Sequence, residues 1–65
     1  MSVAKIVELT ATGGNIEDAI QEGVEKAGET VRNIQHAWVD GIEALVENGA
    51  VSRYHVHLKL TFLVD

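Results

Sequence analysis

The side chains best equipped for chemistry fall in two short stretches of this 65-residue chain. Gln35, His36 and Trp38 stand in one, and His55, His57 and Lys59 in the other. The second stretch alternates polar with apolar residues, the pattern of a strand whose two faces meet different surroundings, and His36 and Trp38 of the first are two apart, on one side of a strand. Trp38 is the only tryptophan. Its indole can stack on a planar ring, worth about 1 kcal/mol beyond the area it covers. Aromatic side chains equally suit subunit interfaces, so Trp38 fits either use. Imidazoles can stack, donate or accept. His55 and His57, two residues apart, project from one side of a strand about 7 Å apart. Lys59, on the same side, suits an anionic ligand or a neighbouring carboxylate.

Clustered histidines can also ligate a first-row metal. A structural zinc site needs four placed ligands, however, and no cysteine or well-spaced carboxylate completes one here. Half-exposed histidines lining a pocket explain the pattern better, and no metal ligand is assigned. The acids Glu17, Asp18, Glu22, Glu25 and Glu29 lack the spacing of a calcium loop and read as the solvated face of a helix. Gly13-Gly14 precedes a helix without the lysine or glycine pattern of a phosphate cradle, and reads as a turn. Neither Ser2 nor Ser52 lies beside a predicted base, so no nucleophile–base pair arises and no catalysis is expected.

Three strands and one helix must position these groups. Ser2 to Thr10 alternates Val3, Lys5, Val7 and Leu9 with Ala4, Ile6, Glu8 and Thr10, and Thr12-Gly13-Gly14 ends it. Asn15 offers an N-cap, followed by Glu17 and Asp18 where negative charge suits the helix dipole. Ile16, Ala19, Ile20, Gly23, Val24, Ala27 and Val31 form an amphipathic stripe, predicting a helix that ends near Arg32-Asn33. Small residues at Ala19, Gly23 and Ala27 let that helix lie close to a sheet. Ile34 to about Leu45 reads as the second strand, with Ile34, His36, Trp38 and Asp40 on one face and Gln35, Ala37, Val39 and Gly41 on the other. Asn48-Gly49 is a type I′ hairpin signal. Val51 to Val64 is the third strand: Tyr54, Val56, Leu58, Leu60 and Phe62 line one face, and His55, His57, Lys59, Thr61 and Leu63 the other. The expected fold is α+β, a β-α-β-β unit spanning residues 1–65 as one domain. Its helix covers the Val56-Leu58-Leu60-Phe62 side of a three-stranded antiparallel sheet and leaves the histidine side bare.

A chain this short buries only about 60% of the surface it exposes when unfolded. It has no cysteines, yet 46% of its residues are hydrophobic. Small folds without disulfides or metals commonly gain stability by oligomerising, which is the expectation here. The net charge of −5 and the scatter of Lys5, Lys26, Arg32, Arg53 and Lys59 argue against a nucleic-acid partner. No apolar run is long enough to span a membrane, and Met1 to Lys5 does not read as a signal segment. A cytoplasmic location is expected.

In order along the chain, Lys5-Ile6-Val7-Glu8-Leu9 with Thr12, Ile16-Glu17-Asp18-Ala19-Ile20, Thr30-Val31-Arg32-Asn33-Ile34, Gly49-Ala50-Val51, Tyr54 and the apolar last strand ending at Phe62 together resemble the dodecin family. The resemblance covers nearly the whole chain. It implies a steep antiparallel sheet partly wrapped around the helix, a hollow homododecamer, and non-catalytic storage or sequestration of a flavin such as riboflavin, lumichrome or FMN. It also implies where the flavin sits. The family's stacking tryptophan aligns with His36 and its ring-binding glutamine with His55. Trp38 faces the same side of the strand as His36, and a local shift in the strand would place its indole near that pocket. Gln35, His36, Trp38, His55 and His57 are therefore the expected flavin-binding residues. The alternative from the same face is a dodecin-like shell that has lost classical flavin binding and holds a metal ion or another small ligand through its histidines.

Overall fold

The computed structural model describes residues 3–64. Four elements follow one another: β1 (Val3–Gly13), α1 (Ile16–Gly28), β2 (Ile34–Glu47) and β3 (Ala50–Val64). The sheet order is β1-β3-β2, antiparallel throughout, so the longest strand lies in the middle. This is the β-α-β-β architecture expected from the sequence. Ser2, expected to open β1, lies outside the described residues.

Local chemistry explains the element ends. Asn15 caps α1: its Oδ1 accepts from the Asp18 backbone N–H at 2.8 Å, and its Nδ2 donates to the Asp18 carboxylate at 2.9 Å. The helix stops at Gly28, earlier than its apolar stripe suggested. Beyond it Glu29 and Thr30 donate to the carbonyls three residues back, on Lys26 and Ala27, Val31 donates once to the Ala27 carbonyl at 2.8 Å, and Asn33 turns the chain with φ of 62°. Val31 therefore follows the helix rather than belonging to it. Asn48 and Gly49, with φ of 51° and 79°, form the expected tight hairpin between Glu47 and Ala50.

β1 runs through Thr12 and Gly13 instead of breaking there, because Ala11, Thr12 and Gly13 stay paired with Val56, His55 and Tyr54. Gly13 is small for a different reason than a turn. A Cβ on it would lie 2.9 Å from the Ala19 backbone nitrogen, so glycine lets the helix start pass close over the strand.

The helix covers the predicted side. Val56, Leu58 and Leu60 of β3 are buried with Ala11 and Ala19, and Val7, Leu9, Ile20, Val24 and Ile34 pack around them. Gly23 makes the closest approach: a Cβ there would meet Leu58 Cδ1 at 2.8 Å and Ala11 Cβ at 3.2 Å. A 13-residue helix is about 20 Å long, whereas strands of 14 or 15 residues reach nearly 50 Å. Accordingly the molecule measures 52 × 19 × 13 Å, and the far half of the β2–β3 hairpin extends past the helix. No helix among the described residues is long and apolar enough to cross a membrane.

Candidate functional site

The strand pairings lay out the helix-free face as four rows, each crossing the sheet from β1 through β3 to β2. These are Ile6–Thr61–His36, Glu8–Lys59–Trp38, Thr10–His57–Gly41 and Thr12–His55–Glu43. Directly opposed residues share a face, so the pairings put His36, Trp38, His55 and His57 on one face as expected, but spread along it: the His36 and His55 rows are six residues of β3, about 20 Å, apart. Trp38 keeps 62% of its surface exposed near the middle of this face, and Ile6 63%.

Two bulges in β2 produce this arrangement and alter the sequence reading. Gln35 is an extra residue between Ile34 and His36, and Asp40 between Val39 and Gly41. Each extra residue swaps the phase of the alternation. Ile34, expected beside His36, instead opposes Phe62 and packs against the core. Gly41, expected on the covered side, instead opposes His57 on the open side. Gln35 has no strand partner, and its Nε2 donates to the Asn33 carbonyl at 3.3 Å.

His57 is the best-held side chain of the face. Its Nε2 lies 2.7 Å from Glu43 Oε1 and its Nδ1 lies 2.9 Å from Thr10 Oγ1. A carboxylate only accepts, so Nε2 carries the proton, and in the neutral ring Nδ1 accepts from the Thr10 hydroxyl. One imidazole thus ties β1 to β2 across β3. The ring lies close over Gly41: a Cβ there would meet His57 Cδ2 at 3.4 Å, about van der Waals contact. Both ring nitrogens are engaged, so His57 shapes the face more than it offers a free ligand atom. Among the described residues no group of three or more His, Asp or Glu side chains lies close enough to hold a metal ion.

Lys59 is bracketed in the same way. Its Nζ stands 4.0 Å from Glu8 Oε1 on β1 and 3.8 Å from Asp40 Oδ2 on β2. Between these groups an open hollow of about 330 Å³ is lined by Glu8, Thr10, Asp40 and His57. The partners Thr10, Glu43, Glu8 and Asp40 were not singled out from the sequence. Counting back from the Asn48-Gly49 turn brings Glu43 near the level of the histidines, but the extra residue Ser52 in β3 shifts that count.

Chemically, the face combines an exposed indole, imidazoles, hydroxyls and a line of compensated charges. That set fits a planar ring system with an apolar surface and a polar edge. A second groove, along the outer side of α1, is lined by Asp18, Gln21, Glu22, Glu25, Lys26 and Glu29 and has no aromatic wall.

The dodecin family model matches residues 3–65. Among solved structures, a variant of the Thermus thermophilus dodecin is 30% identical with a TM-score of 0.92, over 100% of this chain and 97% of that one. The dodecin of Streptomyces coelicolor is 25% identical with a TM-score of 0.91, over 98% and 93%. That of Streptomyces davaonensis, 20% identical with a TM-score of 0.90 over 98% and 96%, is alike in fold. No curated protein sequence matches the chain.

Proposed function

The chain belongs to the dodecin family, and from that premise we propose that its helix-free sheet face binds a flavin between copies of the chain in a hollow homododecamer. The flavin is riboflavin, lumichrome or FMN, and it is stored or sequestered in the cytoplasm without being transformed. His36 and Trp38 wall or stack on the isoalloxazine ring, His55 meets its polar edge, and Gln35 and His57 border the pocket.

The observation that carries this reading is Trp38, held largely exposed in the middle of an ordered face with His36 two residues along on the same side. An exposed indole is costly in water unless something covers it. Assembly is supported by the poverty of the core. Among the described residues five hydrophobic side chains are buried in it, while Val3, Ile6, Trp38, Val39, Ile42, Val46, Val51 and Val64 remain exposed. Burying such a surplus is what association between copies accomplishes.

Two measurements test the proposal. Riboflavin titration at micromolar protein is expected to quench flavin fluorescence as the ring stacks on the indole; absence of quenching overturns the flavin reading. Native mass measurement is expected to give twelve copies of the 7.0 kDa chain, about 84 kDa. A monomer overturns the assembly.

A further inference from the structure

We propose that the helix-free face selects among flavins by charge, taking the neutral ones, riboflavin or lumichrome, and disfavouring those that end in a phosphate. This inference rests on the flavin reading above and goes on to name the ligand class.

Lys59 is the cation that a phosphate would look for beside Trp38, since the two oppose each other across β3 and β2. Its charge is already answered twice, by Glu8 from one outer strand and by Asp40 from the other. Glu43 adds a third carboxylate, bound to His57 Nε2. In the row of the indole, therefore, two carboxylates face one ammonium, and Glu43 extends the negative charge along the face from the His55 row. His57 has no free ring nitrogen to offer an anion.

The other cations stand elsewhere. Arg53 is on this face two residues beyond His55 and six residues, about 20 Å, from Lys59, so it answers at most the Glu43 end of the face and leaves Glu8 and Asp40 uncompensated beyond Lys59. Lys5 opposes Phe62 on the helix side, Lys26 is on α1, and Arg32 lies on the connection before β2. A second copy placed against this face about a two-fold axis presents the same residues, so it doubles the negative surplus instead of relieving it. A terminal phosphate brings about 1.5 to 2 further negative charges.

The test is a fluorescence titration of the purified assembly with riboflavin, lumichrome and FMN at about pH 8, where an ordinary imidazole is neutral. At about 0.01 M salt FMN is expected to bind about tenfold more weakly than riboflavin. At about 1 M salt, where screening shortens to about 3 Å, the gap is expected to narrow. The paired substitution Glu8→Gln with Asp40→Asn is expected to narrow it at low salt, and Lys59→Met to widen it. Both acids are exposed, so the paired variant keeps the fold. FMN binding as tightly as riboflavin at low salt overturns the charge selection while leaving the flavin reading standing. A gap that ignores both salt and the paired substitution overturns it too, because exclusion is then steric. No binding of any of the three flavins overturns the flavin reading itself, and this inference falls with it.

Discussion

β3 has two sides made from one run of residues, and they do opposite work. On one side Val56, Leu58 and Leu60 are buried against β1, β2 and the small residues of α1. On the other, His55, His57, Lys59 and Thr61 are only half-buried, and the polar groups of His57 and Lys59 are met by side chains from both outer strands. The two-residue period of a strand performs this sorting without any further device. Stability comes mainly from the first side, since apolar burial is the dominant favourable term in folding. Ligand chemistry is confined to the second. Substitutions on the two sides are therefore expected to separate stability from binding.

The largest effect belongs to the covered side. Leu58→Ala removes a fully buried side chain that also fills the space over Gly23. The expected cost is about 2–5 kcal/mol, a large part of the 5–15 kcal/mol that holds a typical domain together. Urea unfolding at a fixed protomer concentration checks it, because the stability of an oligomer depends on concentration. A cost under about 1 kcal/mol would mean that the core relaxes freely around the gap, and the contrast between the sides would weaken.

Trp38→Ala tests the other side. With the indole largely exposed in the protomer, its loss is expected to leave protomer stability within about 0.5 kcal/mol. Riboflavin affinity is expected to fall by about tenfold as a stacking partner of order 1 kcal/mol is lost. The same variant decides between the two uses the sequence left open for Trp38. If native mass shows that the assembly dissociates while flavin affinity per folded copy is unchanged, the indole serves the interface and not the ring.

How much of this was legible in the sequence follows the same division. The covered side was readable residue by residue, because Tyr54 to Phe62 keeps an unbroken alternation and one helix can cover only one face. The Asn48-Gly49 turn and the Asn15 cap were readable because each needs a specific residue type at one place. The open side was readable on β3 and only partly on β2. The bulges at Gln35 and Asp40 add one residue each, and nothing in the alternation Ile34, His36, Trp38, Asp40 signals the change of phase. Gly41 was the available clue, since glycine within a strand often marks a bulge or a close approach. The end of α1 escaped for a related reason: Val31 continues the apolar stripe although the hydrogen bonding has already tightened past Gly28. Periodicity reports which residues seek cover and does not report where the backbone stops repeating.

The smallest effect expected is in the hydrogen-bonded contact that joins all three strands on the open side. His57→Gln removes an imidazole that reaches Thr10 and Glu43 at once. A net hydrogen bond contributes about 0.5–1.5 kcal/mol, and this pair is well exposed, with side chains 40% and 65% accessible, so the lower part of that range applies. A double-mutant cycle of His57→Gln with Glu43→Gln isolates the pair, and a coupling of about 0.5 kcal/mol is expected. The geometry gives the contact a second consequence that stability barely registers. The His57 ring lies over Gly41 of β2, and the bulge at Asp40 lies between Gly41 and the strand residues that carry Trp38. Releasing the ring is therefore expected to loosen the placement of the indole and to weaken riboflavin binding more than it weakens the fold. A coupling above about 2 kcal/mol would show instead that the open side carries a real share of the folding energy, and the division of labour across β3 would have to be redrawn.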